Sequence, residues 1–418
     1  MPSNSFSVLK IRDFRLLVAV RILIVMSTTA QAVVVGWQVY SITKNPFMLG
    51  LTGLAEALPA LFCALFAGHL VDIYRPHRVY LLCIGTLVLN SLILFILAGE
   101  VLEAPGGNIL PWIFTGIFIS GIARSFIMPS SFALLPQIVP RTQISSASAW
   151  SSSGFQFSSI AGPAIAGIVY GGYGVKVAWA LPLGLVIAAF VTLSAISHNH
   201  RHYKSASKRE PAVQSIKAGW KFILSNDVML PVMALDMFAV LFGGAVSMLP
   251  AYADQVLHVG SEGLGALRAA PALGAIVAAL IIAVKPFNKI HGSTLLWMIF
   301  GFGVCIIGFG LSKVFWISMF FLAMSGAFDS VSAVIRTTIM QWLTPDHMRG
   351  RISSVNSMFI ISSNELGAFE SGLAAKIFGL VPSVVFGGIG AVIVVIITAM
   401  ASPGLRKAEI NPKNIIVD

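Results

Sequence analysis

Apolar runs of bilayer length recur along the whole chain, and they constrain its fold more than any other feature. They cover residues 15–40, 49–72, 79–99, 110–136, 145–171, 177–197, 227–251, 263–284, 293–312, 315–342, 353–379 and 382–402. A helix of about 20 residues crosses the roughly 30 Å hydrocarbon layer. Lipid offers no partner for backbone N–H and C=O groups, so such segments must be helices packed in a bundle. The pattern predicts an all-α membrane protein with twelve spanning helices. Composition agrees: 57% of the residues are hydrophobic and 10% charged, against about 25% charged in an average soluble domain. Too few charges remain to cover a soluble protein of 418 residues.

The N-terminus has a basic start (Lys10, Arg12, Arg15), an apolar stretch and then Ala30-Gln31-Ala32, the outline of a cleaved signal peptide. The apolar run continues to Tyr40 and eleven more follow, so it is expected to be an uncleaved first span. Cys63, Cys83 and Cys305 all fall within spans and are expected to pack rather than pair or bind metal.

Lys and Arg counts predict the orientation. With the N-terminus inside, the cytoplasmic segments hold 19 of them, and the opposite side holds only Lys44, Lys176 and Lys313. This predicts both termini in the cytoplasm. Basic loops facing an anionic leaflet also account for the +11 net charge without a nucleic-acid partner.

The polar stretch HNHRHYKSASKREPAVQSIK, 198–217, divides the spans six and six. The expected organisation is an N-terminal bundle over 1–197, a basic linker over 198–221, and a C-terminal bundle and tail over 222–418. The halves repeat each other. SGIARSFIMPSSFALLPQIVP (120–140) and SGAFDSVSAVIRTTIMQWLTP (325–345) share their Ser-Gly opening and final Pro at an offset of 205. ISSASAW (144–150) matches ISSVNSM (352–358) at offset 208, and ALPAL (57–61) matches AAPAL (269–273) at offset 212, which also pairs Tyr40 with Tyr252. Repeats of this kind build transporters whose bundles rock about a site near the midplane.

GHLVDIYRPHR, 68–78, crowds charge between two apolar runs. It resembles the signature between spans 2 and 3 of the major facilitator superfamily. Gly68, Leu70 and Asp72 match, Arg75, His77 and Arg78 supply a basic tail, and Ile73 and Arg75-Pro76 depart from the usual pattern. Asp72 can accept hydrogen bonds from the positive N-terminus of a facing helix. The resemblance implies that this helix is span 11, which follows Arg349-Gly350-Arg351, and that the contact is a cytoplasmic gate. SSIAGPAIAG, 158–167, is similar to the superfamily's antiporter pattern in span 5 through Gly162, Pro163 and Gly167, with Ser158 and Ala166 standing in for glycines. Small residues there permit close helix packing. Longer blocks, such as GWQVYSITKNPFMLGLTGLAEALPALFCALFAGHLVD and RGRISSVNSMFIISSNELGAFESGLAA, resemble the enterobactin-exporter branch, a group of siderophore and drug exporters. The resemblance spans both halves and implies a multi-pass protein of the bacterial inner membrane.

Ionisable residues inside spans carry the most functional information. They are Arg21, Glu56, Arg124, Asp236, Arg268, Asp329, Arg336, Glu365 and Glu370. Facing lipid, they would together cost on the order of 25 kcal/mol, so they must face the interior, water or each other. The repeat makes Arg124 equivalent to Asp329 and Glu56 equivalent to Arg268, opposite charges at related positions. In the superfamily, spans 1, 4, 7 and 10 line the cavity, which by resemblance makes Arg21, Arg124, Asp236, Asp329 and Arg336 cavity residues. Asp329 or Asp236 is the expected proton carrier, with Glu365 at similar depth and Arg124 competing for the carboxylate or binding an anionic substrate. Trp37, Gln38, Phe126 and Phe238 are candidate substrate contacts, since aromatic and methionine surfaces suit bulky amphiphiles. Glu56, Arg268 and Lys376 are candidates for an outer gate, with Glu56 reaching Lys376.

No cluster has metal-site spacing, no loop cradles phosphate, and no nucleophile–base pair stands out. The expectation is therefore a non-enzyme without metal or cofactor, acting as a monomer on protons and a small amphiphilic organic substrate, in contact with membrane lipid. A lipid or lysolipid flippase, an uptake symporter and a non-transporting membrane sensor remain the alternatives.

Overall fold

The computed structural model describes residues 7–98, 105, 107–140, 143–196, 219–284, 289–345 and 348–410. The chain runs through α1 (Arg12–Thr43), α2 (Pro46–Ile73), α3 (Pro76–Leu97), α4 (Leu110–Ile138) and α5 (Ile144–Ser194). There follow α6 (Met229–Phe242), a 3-10 turn (Gly244–Met248), α7 (Leu249–Gln255), α8 (Gly260–Val284), α9 (Gly292–Leu311), α10 (Phe315–Leu343), α11 (Arg349–Phe378), α12 (Leu380–Ala401) and α13 (Pro403–Lys407). The two-residue strands β1 (Ile290–His291) and β2 (Glu409–Ile410) pair antiparallel.

All twelve expected segments are helical, and among the described residues ten helices are long and apolar enough to cross a membrane. Two local features separate ten from twelve. α5 has 51 residues, long enough to cross twice, and Gly174 (φ 78°, ψ 179°) breaks it. That conformation is open to glycine and strained for other residues. α11 has the length of a span but carries Arg349, Arg351, Glu365, Glu370 and Lys376, which lower its apolarity. The seventh crossing is interrupted instead of continuous. Pro250 has no N–H and crowds the carbonyl four residues back, at Val246, and the chain takes the 3-10 turn there after Gly243-Gly244.

Turn chemistry sets the other boundaries. Asn45 Oδ1 accepts the Phe47 N–H at 3.0 Å, with Pro46 as the first residue of α2, an N-cap arrangement. Asn226 Oδ1 accepts from Val228 and Met229 at 3.0 and 2.9 Å ahead of α6. Beside β1, Lys289 meets Glu409 at 2.6 Å and Gly292 N–H donates to Ala408 O at 2.9 Å, clipping the chain after α12 to the start of α9. The hydrogen bond and charge of Lys289 hold the exposed Glu409 carboxyl below its ordinary value, so the clip is present at neutral pH and weakens as acid protonates Glu409.

The chain forms two compact units. Unit 1 comprises Met1–Ile42, Ala55–Lys208 and Gly260–Ala269; unit 2 comprises Thr43–Leu54, Arg209–Val259 and Ala270–Asp418. The division passes through the basic stretch, most of which lies outside the described residues. It departs from the expected domain limits in one respect: the N-terminal parts of α2 and α8 each belong to the unit of the other half.

Unit 1 has a core built on Phe14, Tyr80, Leu134 and Leu193 with α3 packed on α4 and α5. Polar groups join its helices: Asn90 donates to Gly116 O at 3.1 Å and to Ser120 Oγ at 2.9 Å, and Gln31 reaches the same hydroxyl at 3.4 Å. Such bonds hold helices together where hydrophobicity gives no net drive. Unit 2 packs α9 on α10 and α12, and α6 on α11 and α12.

Equivalent glycines make two of the close helix crossings. Gly121 of α4 lies against the Glu56 carbonyl and Pro59 of α2, and Gly326 of α10 lies against the carbonyl of Pro271 of α8. Gly121 and Gly326 are related by the offset of 205, Pro59 and Pro271 by that of 212. The repeat read in the sequence is thus a repeat of contacts. Gly326→Ala is expected to cost about 1–3 kcal/mol through overpacking, whereas Gly184→Ala, which meets nothing within 4 Å, leaves stability unchanged or raises it. Thermal unfolding of the purified variants in detergent measures both.

Candidate functional site

The crossing at Gly121 sets the first charged pair. Arg124 lies one turn beyond the glycine on α4, and Glu56 one turn before Pro59 on α2, so the two side chains meet as an ion pair. Their side chains keep 42% and 24% of their exposure. In unit 2, Arg336 of α10 pairs with Asp236 of α6, and here the side chains retain only 8% and 9%. Taking both charges out of water is costly, and removing one partner leaves the other stranded.

Asp329 stands seven residues before Arg336 on α10. Seven residues bring a helix almost back to the same face, about 10 Å along its axis. Asp329 is exposed, and its carboxylate has no ion pair among the described residues. Unit 2 therefore holds two carboxylates, Asp236 and Asp329, around one arginine. Asp329 and its repeat partner Arg124 each lie fourteen residues into their helices, roughly 21 Å from the start.

The remaining expected residues divide by what they touch. Arg21 lies 5.7 Å from the centre of the Phe132 ring, a cation–π contact. Trp37 meets Tyr170 edge-on at 6.4 Å. Phe126 packs against the core of unit 1. Phe238 is 39% exposed and stacks on Phe242 at 6.5 Å. Gln38 is corrected by the structure: it is buried, donates to Ala98 O at 2.8 Å and accepts from Trp179 Nε1 at 2.6 Å. Both ends of its amide are engaged in holding unit 1 together, which removes it from the substrate contacts. The expected reach of Glu56 to Lys376 is also replaced. Glu56 is held by Arg124, and Lys376 lies over the Phe47 ring at 4.7 Å within unit 2.

In GHLVDIYRPHR, α2 ends at Ile73 and Pro76 opens α3, leaving Arg75 and Arg78 exposed at the turn. His77 does not join this basic tail; it is buried, with Nε2 3.1 Å from Leu193 O. The Gly68, Asp72, Arg349, Arg351 and Glu365 side-chain positions lie outside the described residues. In the span 5 pattern, a Cβ on Gly162 would strike Thr29 Oγ1 and sit 2.9 Å from Met26 O, and one on Gly167 would fall on Gly265 of α8. Buried Pro163 lies between them. The pattern works as a close-packing surface toward α1 and α8.

Three contacts went unforeseen. Gly50 of α2 approaches Gly372 of α11, and a Cβ on it would be 3.1 Å from the Gly372 Cα. Lys44 pairs with Asp254 at 3.0 Å. Tyr252 donates to Gly310 O. Lys44 and Asp254 follow the repeat-related Tyr40 and Tyr252 by four and two residues, which is the one signal in the sequence that links them.

Paired helical repeats crossing the membrane, with charge pairs held inside each, define a membrane transporter of the major facilitator type and not an enzyme. The fold is shared with a bacterial homologue of the iron transporter ferroportin (TM-score 0.67, 17% identity, covering 94% of this chain and 99% of that one). It is also shared with the POT family transporter PepTSo (TM-score 0.74, 10% identity, covering 94% and 98%). Residues 3–416 match the transmembrane secretion effector family, and the chain belongs to it. Curated relatives include the enterobactin exporter EntS of Shigella boydii serotype 4 and of Citrobacter koseri, each 25% identical and covering 96% of this chain and 94% of the relative.

Asp236→Asn is expected to destabilise the protein by about 3–5 kcal/mol by stranding Arg336, while Asp236→Leu combined with Arg336→Met recovers most of the loss. Glu56→Gln, at the more exposed pair, is expected to cost about 1 kcal/mol or less. Chemical or thermal unfolding of the four proteins reads these differences.

Proposed function

We propose that this protein is a proton-driven exporter of an amphiphilic organic molecule of the siderophore or drug class, working by alternating access. One observation carries the coupling. Asp236, Asp329 and Arg336 in unit 2 sum to one negative charge when all are ionised and to zero when one proton is bound. The neutral state is the one that can leave water at least cost. Asp329, having no ion pair among the described residues, is the group that takes the proton. Asp236 stays with Arg336 and keeps the arginine from neutralising Asp329 permanently.

Export as the direction draws on the curated relatives, which are exporters of enterobactin, and on the Gly162-Pro163 and Gly167 pattern. The Lys and Arg distribution supports both termini in the cytoplasm, with the bacterial inner membrane as the setting. The protein works as a monomer without cofactor. In this reading the Gly68, Asp72, Arg75 and Arg78 motif and the Arg349 and Arg351 pair each serve in cytoplasmic gating. Exposed Met128 and Phe132 in unit 1, and exposed Phe238 in unit 2, are side chains of the adaptable apolar kind that a bulky amphiphile needs.

Inside-out vesicles with an imposed proton gradient test this, using enterobactin and cationic dyes as probes. Uptake driven by the gradient in the wild type, and lost in Asp329→Asn, is the expected result. Equal uptake by both moves the proton to Asp236. Absence of uptake for every probe contradicts proton-driven export and favours lipid translocation.

A further inference from the structure

Arg268 is an interior charge that the proposed coupling leaves unused. Its Nε is buried and has no hydrogen-bond partner, and none of its nitrogens forms an ion pair among the described residues. The other interior arginines differ. Arg124 has Glu56, Arg336 has Asp236, and Arg21 has the Phe132 ring. The repeat equivalent of Arg268 is Glu56, whose charge is satisfied. A stranded guanidinium in a membrane is expensive, and such residues mark substrate or ion paths.

Its position follows from the packing of α8 on α5 in unit 1. Gly171 lies against Glu262 and Gly167 against Gly265, so the two helices run antiparallel. One further turn along α8 brings Arg268 level with Gly162-Pro163-Ala164, and a Cβ on Gly265 would already lie 3.2 Å from the Ala164 carbonyl. At that level α5 carries the small residues Gly162 and Ala164. Arg268 as a residue keeps part of its exposure, while its Nε is enclosed.

We infer that Arg268 is an anion-recognition residue, taking the carboxylate or catecholate group of an aromatic amphiphile beside the Gly162-Pro163 turn. The guanidinium fork matches the planar, paired oxygens of such groups. This rests on the transport reading above for its ligand class, and it makes unit 1 the anion-binding unit where unit 2 binds protons.

The test uses full-length protein in nanodiscs and two probes, 2,3-dihydroxybenzoate and its neutral amide, with affinities measured by calorimetry. The wild type should prefer the anion by about tenfold, as one charge-assisted contact would give. Arg268→Gln should lose that preference while binding the amide as before, and Arg268→Lys should keep part of it. Three results overturn the inference: no preference in the wild type, an undiminished preference in Arg268→Gln, or loss of both probes together with the melting transition. Asp329→Asn rescuing Arg268→Gln would also overturn it, because Arg268 would then be an internal counter-ion. The assay involves no proton gradient. An Arg268-dependent preference without gradient-driven flux would sink proton-driven export and leave Arg268 standing as an anion-recognition residue.

Discussion

Two repeat-related helix crossings bring backbones into contact in this protein, and one of them sets an interior charge pair. At each, a glycine lets one helix lie on the backbone of another beside a proline: Gly121 on α2 at Glu56–Pro59, and Gly326 on α8 at Pro271. No larger residue fits, because a Cβ at either site would occupy the space of a carbonyl. The crossing at Gly121 brings Glu56 and Arg124 within reach one turn away. Close packing of small residues therefore comes first, and the electrostatics follow from it.

The membrane makes that placement consequential. A charge in hydrocarbon is tolerated only when paired, solvated or neutralised by a proton. Glu56–Arg124 and Asp236–Arg336 meet the condition by pairing. Asp329 and Arg268 form no ion pair among the described residues, and they are the groups proposed for proton and substrate. The repeat sharpens the contrast: each position that is satisfied in the first half has, in the second, an opposite charge without an ion pair among the described residues. Duplication supplied the framework, and inversion of charge made the halves chemically different.

The helices were legible in the sequence because a bilayer leaves the backbone only one economical structure, and the run lengths follow from its thickness. Breaks within crossings were harder to see. The 3-10 turn at Gly244–Met248 depends on Gly243, Gly244 and Pro250 acting together inside an unbroken apolar run. The ionisable residues were legible as a set, but their partners were not. Depth along each helix places Glu56 and Arg124 at no obvious match; the crossing at Gly121 decides it. Gln38 was misread because a glutamine in a span looks like a substrate contact until Trp179 and the Ala98 carbonyl are found at its two ends. Lys44 with Asp254 and the β1–β2 clip join residues about 210 and 120 apart, with no local pattern to announce them.

The central claim is that unit 2 binds the transported proton at Asp329, separately from the charge pair of unit 1. Proton release from the purified protein on addition of substrate tests it most directly, read with a pH-sensitive dye in weak buffer. The account predicts release by the wild type and by Glu56→Gln, and none by Asp329→Asn. Undiminished release from Asp329→Asn would contradict it.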